Sequence, residues 1–182
     1  MKRITITILI AFIALNSYAQ RDRGKRAGGM YSAGITQVDA AQVPEVVRTA
    51  FTIQAPDLHW EKHESKGKAG KSHLRYVAVY KEDGIAIRKR FKADGTTMSS
   101  SKYMGAQKLP VAVQTAASAK NPGAKLIGGE ELTTKNGQVF YRVRLRKGSS
   151  KINSLLDANG SEVTKDKMTE ELKDSEGEEG GN

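Results

Sequence analysis

Two segments of the chain carry apolar residues at the spacing of one helical face. From Val43 in the first segment and from Leu109 in the second, apolar side chains recur at positions i, i+4, i+7 and i+8. This spacing is typical of an amphipathic α-helix that packs on a core. The segments "VPEVVRTAFTIQAP" and "LPVAVQTAASAKNP" are identical at five of their fourteen paired positions. We therefore predict two equivalent short helices.

All four prolines of the chain lie at the ends of these two segments. Proline is tolerated in the first helical turn, where its missing N–H has no partner to lose. A later proline ends a helix because it pushes the preceding residue out of the helical region. We predict that Pro44 and Pro110 start the two helices, and that Pro56 and Pro122 end them.

Alternating apolar and polar residues predict β-strands after each helix. The clearest are "HLRYVAVYK" (73–81) and "QVFYRVRLRK" (138–147). Each is followed by a turn and a further strand, "IAIRKRF" or "KINSLL", which closes at Asp94-Gly95 or Asn159-Gly160. Weaker strand patterns, "LHWEKHE" and "AKLIGGEEL", precede them. Each segment thus reads as a helix followed by three or four antiparallel strands.

The same landmarks recur at nearly constant spacing. Pro44 lies 32 residues before Tyr76, and Pro110 lies 31 residues before Tyr141. We therefore predict tandem repeats over residues 43–98 and 109–163, joined by a linker at 99–108. One copy of this size buries little apolar area alone, so the two should share a core. The predicted fold class is α+β, with both helices on one face of a combined antiparallel sheet and the other face open.

The chain ends lie outside this pattern. The first 19 residues have a positive start, an apolar run and small residues before Gln20, which predicts a signal peptide cut after Ala19. The chain has no cysteine, so lipid attachment and disulfides are both excluded. We expect a periplasmic or secreted protein, with a flexible basic arm at 20–42 and an acidic, disordered tail at 164–182.

The order and spacing of these features resemble the PepSY-like family of exported bacterial proteins, common in Bacteroidetes and described as β-lactamase-inhibitor-like. The residues that carry the resemblance are the Val/Leu-Pro helix starts, Trp60-Glu61, the Tyr-centred strands and the turns "FKADG" and "LDANG". It covers about residues 43–163. It implies a tandem α+β fold like that of β-lactamase inhibitor proteins, with a concave sheet as the binding face. Departures are the Lys/Gly-rich loop 66–72 and Leu126 in place of a second tryptophan.

Strand alternation predicts an arginine-bearing open face. In "YRVRLRK" the apolar residues point to the core, so the three arginines point outward. Arginine forms bidentate contacts with carboxylates and is favoured at interface centres. The alternative is that these arginines point outward only to keep a solvent-exposed sheet face soluble. The predicted partner-binding residues are Arg142, Arg144, Arg146, Arg88, Arg90, Val77, Val79 and Trp60, the last being either core or interface. We expect joint replacement of Arg142, Arg144 and Arg146 by alanine to weaken partner binding without unfolding the protein.

The sequence gives little support for a phosphate-binding, metal or catalytic site. "GKAGKS" lacks the first glycine of a phosphate loop, which would fall at Ser65, and it links two strands rather than a strand and a helix. His59, Glu61 and His63 share a strand face, but a metal needs closer spacing and further ligands. No nucleophile–base pair or Gly-x-Ser-x-Gly elbow is present. We expect no enzyme activity, no cofactor and no metal.

The net charge of +10 favours an anionic partner, because eight of the twenty acidic residues lie in the last 21 positions. Nucleic acid is disfavoured, since only 6% of residues are aromatic and no recognition motif is present. The leading hypothesis is an exported, non-enzymatic protein that docks a protein partner. In one form of this hypothesis, the partner is an envelope enzyme that the protein inhibits. The alternative is an envelope factor that holds polysaccharide or lipid head groups through its charge.

Overall fold

The computed structural model describes residues 34–66, 72–169 and 171–173. The predicted signal peptide, most of the basic arm, the loop at 67–71 and the end of the acidic tail lie outside these residues. Within them, no helix is long and apolar enough to cross a membrane.

In the described part of the chain, eight strands form one sheet whose spatial order follows the chain, and every neighbouring pair is antiparallel. Because each strand pairs with the next, short turns connect most of them. The strands are β1 (Ile35–Val38), β2 (His59–Lys66), β3 (Ser72–Glu82), β4 (Ile85–Lys92), β5 (Thr97–Gly105), β6 (Lys125–Thr134), β7 (Val139–Lys147) and β8 (Ser150–Asp157).

Among the elements that the structure describes from end to end, two α-helices interrupt the sheet, α1 (Glu45–Ala50) after β1 and α2 (Val111–Lys120) after β5. Pro44 and Pro110 occupy the N-cap positions with nearly the same backbone angles, φ −52° and ψ 140° against φ −55° and ψ 142°. A 3₁₀ turn precedes each, at Ala40–Gln42 and Ala106–Lys108. Both helices therefore begin where the prolines predict.

The prediction that Pro56 ends the first helix is wrong, because α1 ends at Ala50. Phe51 leaves the helical region, at φ −97° and ψ 102°. The sequence "FTIQA" follows, in which β-branched residues have lower helix propensity than the alanines of "TAASAK" in α2. The longer α2 ends at Lys120, two residues before Pro122.

A hydrophobic cluster joins α1 to the first half of the sheet. Phe51 is central to it, with edge-to-face contacts to Trp60 at 5.6 Å and Tyr80 at 5.4 Å between ring centroids. Such pairs add to the stabilisation from burial alone. The cluster comprises Val43, Val47, Phe51, Trp60, Tyr76, Ala78, Tyr80, Ile87 and Phe91.

A second cluster joins α2 to the last strands. It comprises Leu109, Val113, Ala117, Tyr141, Val143, Leu145 and Leu156. Strand register places both clusters on the same face of the sheet, since Ile87 lies opposite Lys102, Lys102 opposite Glu131, and Glu131 opposite Tyr141. Residues directly opposite in neighbouring strands share a face. We call this the helix face, and the other the arginine face.

The predicted boundaries between segments need three corrections. The linker at 99–108 is wrong, because most of it belongs to β5, which pairs with both β4 and β6. The serine-rich strand "TMSSSKYMG" has no apolar alternation to reveal it. The arm at 20–42 includes β1, and the tail from 164 includes a 3₁₀ turn at Lys165–Lys167 and the buried Leu172. The structure of these segments is determined by tertiary contacts, which local composition does not show.

Candidate interaction face

Strand register places seven of the eight predicted site residues on the arginine face. Val77 lies opposite Arg90, and Val79 lies opposite Arg88. The face continues through β5 and β6 to β7, where the alternate positions 142, 144 and 146 hold arginine. Trp60 lies opposite Ala78 on the helix face and is only 4% exposed. Trp60 therefore lies in the core, which is one of the two alternatives that the sequence left open.

The centre of the arginine face is a buried ion cluster around Glu130. Arg142 Nη1 donates to Glu130 Oε2 at 3.2 Å, and Arg90 Nη2 donates to Glu130 Oε1 at 3.4 Å. Arg90 Nη1 also donates to Ser101 Oγ at 3.1 Å. The exposed fractions of Arg90, Glu130 and Arg142 are 0%, 1% and 3%. One carboxylate thus bridges two guanidinium groups, as expected where charges are buried.

This cluster corrects the prediction for Arg90 and Arg142. Both lie on the predicted face, but neither is presented on an open surface. Val77 is also fully buried. Alternation within one strand shows which way a side chain points. It does not show that Glu130 lies beside these arginines, because that position follows from the pairing of β6 with β5 and β7. A surface for partners must therefore be sought elsewhere on this face.

A second ion cluster lies on the same face around Glu61. Arg88 donates to both carboxylate oxygens of Glu61, at 3.0 and 3.2 Å, and His63 Nε2 lies 2.8 Å from Oε2. Arg75 Nη2 lies 3.4 Å from the other ring nitrogen, His63 Nδ1. These contacts fit an imidazole that donates from Nε2 and accepts at Nδ1. Arg88 is part-buried, so its guanidinium group interacts with Glu61 more than with solvent.

In the described part of the chain, no group of three or more His, Cys, Asp or Glu side chains could hold a metal ion. The candidate ligands considered from the sequence are His59, Glu61 and His63. Glu61 contacts Arg88 and His63, and His59 Nε2 lies 3.9 Å from Glu61 Oε1. The cluster is thus an ion-pair network among protein groups.

The C-terminal segment covers one end of the arginine face. We define the C-terminal strap as the described residues 163–169 and 171–173. Leu172 is 2% exposed and packs on Leu132 and Leu155. Its carbonyl oxygen accepts a hydrogen bond from Arg142 Nη2 at 3.3 Å, and Glu171 lies 3.5 Å from Lys135 Nζ. The strap therefore lies directly beside the Glu130 cluster.

The opposite end of the face carries exposed cations. Lys125, Arg146 and Lys151 lie directly opposite one another across β6, β7 and β8, and all three are exposed. One step along β7, the Arg144 guanidinium lies 5.4 Å from the ring centroid of Tyr103, within the range of a cation–π contact. We call Lys125, Arg144, Arg146 and Lys151 the cation row. Arg144 and Arg146 are predicted contact residues that lie outside the buried clusters, and Lys125 and Lys151 are additions from the structure.

Comparison with known proteins identifies the architecture. No family model matches the chain, and no curated protein matches it. Solved structures do match, among them a BLIP-like protein from Bacteroides fragilis, with a TM-score of 0.51 and 20% identity over 66% of this chain and 84% of that one. The fold is BLIP-like.

Two further structures share the BLIP-like fold of this chain. A DUF2874 family protein from Bacteroides uniformis has a TM-score of 0.56 and 17% identity, over 66% of this chain and 86% of that one. A protein from Bacteroides eggerthii, described as a periplasmic protein by inference, has a TM-score of 0.55 and 19% identity, over 67% and 86%. At such identities the likeness establishes the fold alone.

Sequence reasoning missed the acidic and apolar members of the site. Glu61 and Glu130 both fall at outward positions of strands adjacent to arginine-bearing strands, and that placement is a usable signal. Leu172 has no comparable signal, because it lies in the charged segment "TEELKDSE". A single leucine among acidic residues does not predict a packed turn.

Proposed function

We propose that the chain is an exported, non-enzymatic binding protein that docks an acidic protein partner on its arginine face, through the cation row. The observation that carries this proposal is the alignment of Lys125, Arg146 and Lys151 across three strands. Like charges directly opposite one another in a sheet are destabilising. A carboxylate-bearing partner would be attracted to this row of positive charges.

The residues beside the row support recognition of a protein surface. Arginine and tyrosine are enriched among residues that dominate binding energy at interfaces. Arg144 already lies over Tyr103, which limits the freedom that its guanidinium would lose on binding. Arginine can also grip a carboxylate with two parallel hydrogen bonds.

Export and family membership form part of the same proposal. The signal peptide at 1–19, with a cut after Ala19, agrees with the periplasmic description of the Bacteroides eggerthii structure. PepSY-like membership and an origin by tandem duplication are supported by two matched pairs, the N-cap prolines Pro44 and Pro110 and the turn glycines Gly95 and Gly160. The BLIP-like fold favours a protein-binding, non-catalytic role, with inhibition of an envelope enzyme as one form.

Charge reversal within the cation row tests the proposal. An Arg144→Glu/Arg146→Glu variant should lose the partners that the wild-type protein captures from a native envelope extract. An Arg48→Glu/Lys108→Glu variant changes the net charge equally at exposed positions outside the arginine face, and it should capture the same partners as the wild type. Equal capture by both variants would rule out the cation row as the docking surface.

The same row also favours a second candidate function, the binding of anionic polysaccharide or lipid head groups. Such a complex depends mainly on charge and weakens steeply with salt, whereas a packed protein interface weakens less. Binding to phosphatidylglycerol vesicles or to a sulfated polysaccharide, measured from about 0.05 to 0.5 M salt, separates the two. Tight, salt-sensitive binding without a protein partner would favour the alternative.

A further inference from the structure

We propose that the pocket under Leu172 is a peptide-binding site, which the C-terminal strap occupies in cis and which takes a leucine-bearing acidic segment of a partner in trans. The inference deepens the proposed function, because the pocket lies on the same arginine face as the cation row. It names a specific ligand chemistry, which the cation row by itself does not.

The floor of the pocket is apolar and already ordered. Leu132 is 1% exposed and Leu155 is 6% exposed, and both contact Leu172. Phe140 of the sheet packs around this cluster and is partly buried, as are Val163 and Met168 of the strap itself. Leu132, Phe140 and Leu155 belong to β6, β7 and β8, so the sheet itself holds the floor in place. A leucine side chain that enters the pocket finds a rigid receptor.

The rim of the pocket is cationic. Arg142 Nη2 donates to the Leu172 carbonyl oxygen at 3.3 Å, which fixes the backbone of the bound turn. Lys135 Nζ lies 3.5 Å from Glu171 Oε1, on the residue just before the leucine. An apolar floor with cations at its rim suits a ligand in which glutamate precedes leucine. The chain's own segment "TEELKDSE" has this pattern.

The strap enters the pocket as a locally closed turn. Val163 N–H donates to Leu155 O at 2.9 Å, which tethers the start of the strap to the edge strand β8. Leu172 and Lys173 N–H both donate to Thr169 O at 3.1 Å, so these backbone hydrogen bonds of the turn are made within the strap itself. Because the floor belongs to the sheet and these hydrogen bonds belong to the strap, an external segment with the same side-chain pattern can take the place of the strap.

The geometry also explains why the pocket would be filled without a partner. A ligand on a short tether has an effective concentration of the order of millimolar. The strap therefore outcompetes weak external segments and excludes water from the leucine floor. A partner segment gains access only when additional contacts, such as those of the cation row, add to its affinity.

A labelled peptide with the sequence of residues 164–178 provides the test. Its binding to the full-length protein is measured by fluorescence polarisation for the wild type, Leu172→Asp and Thr115→Asp. Leu172→Asp removes the anchor from the pocket. Thr115→Asp adds the same charge at an exposed position of α2 and is the matched control. We expect Leu172→Asp to bind the peptide at least about 10-fold more tightly than the other two proteins, because the tethered competitor is lost.

A second peptide, with alanine in place of its leucine, should bind Leu172→Asp about 30-fold more weakly, as expected for loss of one buried leucine. Equal binding of the first peptide to all three proteins, or binding to none of them, would overturn the inference. Leu172→Ala replaces Leu172→Asp if circular dichroism shows that the latter does not fold. The peptide assay reports the leucine pocket and the charge-reversal assay reports the cation row, so either proposal can fail alone.

Discussion

Arg142 Nη1 lies 3.2 Å from Glu130 Oε2 on the neighbouring strand, and both side chains are almost fully buried. The second oxygen of Glu130 faces Arg90, which lies two strands away. The pairing therefore ties together β4 in the first half of the chain and β6 and β7 in the second. One carboxylate at the centre of the sheet links the two halves across β5.

Removal of this carboxylate should destabilise the protein strongly. Glu130→Gln removes the charge that bridges two buried guanidinium groups, and breaking a buried ion pair from one side costs about 3–5 kcal/mol. Glu64→Gln is the control, because its pair with Lys62 is exposed to solvent and should contribute little to stability. Urea unfolding at neutral pH measures both. Equal effects would show that the Glu130 cluster is no more important than a surface pair.

The same burial changes how the arginines can be tested. The sequence predicts that joint replacement of Arg142, Arg144 and Arg146 spares the fold, but Arg142 is 3% exposed and donates to both Glu130 and the Leu172 carbonyl. Arg142→Ala should therefore destabilise the protein by itself. Only Arg144 and Arg146 can be changed as probes of binding.

The sequence predicts most of the fold because local patterns and tertiary structure agree there. Alternation in β3 and β7, the Asp94-Gly95 turn and the N-cap prolines all appear where they are predicted. It fails at β5, where serines replace the apolar alternation. Ser101 is explained only by the neighbouring strands, since its small side chain leaves room for Arg90 and accepts its hydrogen bond.

The candidate site is less predictable than the fold. Periodicity predicts on which face of the sheet Arg90, Arg142 and Val77 lie. Their burial depends on residues far along the chain, Glu130 and the strap among them. The helix-face position of Trp60 follows from its register with Ala78. A single sequence contains neither the register between distant strands nor the position of a charged terminal segment.

Trp60 offers a direct test of that assignment. Trp60→Ala should lower the free energy of unfolding by about 3–5 kcal/mol, since it empties a site packed by Phe51 and Phe91. Trp60→Phe should cost less and leave partner capture unchanged. Because Trp60 is the only tryptophan, acrylamide quenching of its fluorescence reports its exposure directly. Strong quenching in the folded protein, or loss of capture by a folded Trp60→Phe variant, would contradict a core role.

Two buried tyrosines should make stability fall at alkaline pH. Burial raises the pKa of Tyr80 and of Tyr141 above the usual value of 10.0, and the nearby charges of Glu82 and Glu131 add to it. The unfolded chain then loses these protons first, so stability is complete below about pH 10 and is lost as the pH rises through the raised pKa values.

Urea unfolding of the wild type and of Tyr80→Phe/Tyr141→Phe at about pH 8 and pH 11 measures this effect. Phenylalanine cannot ionise, so the variant should lose less stability between the two values. It should also be somewhat less stable at pH 8, because Tyr141 no longer donates to Glu131. An identical alkaline loss in both proteins would assign the effect to other groups.

Two glycines hold equivalent turns against the two helices. Gly95 and Gly160 have φ of +85° and +82°, and a Cβ at either would lie 2.8 Å from a helix carbonyl oxygen, that of Val46 or of Ala112. Those carbonyls each belong to the second residue after an N-cap proline. The turn after β4 and the turn after β8 thus each abut the first turn of a helix, and only glycine fits between them.

Substitution separates the backbone strain from the close approach. Gly84→Ala should cost about 1–2 kcal/mol, because Gly84 has φ of +74° but no atom lies within 4 Å of the position that a Cβ would take there. Gly95→Ala and Gly160→Ala add an overlap with backbone, so each should cost about 2–5 kcal/mol. Similar losses at Gly95 and Gly160 would support structural equivalence of the two halves. A cost at either position no greater than at Gly84 would show that the helix yields, and the argument from close approach would fail.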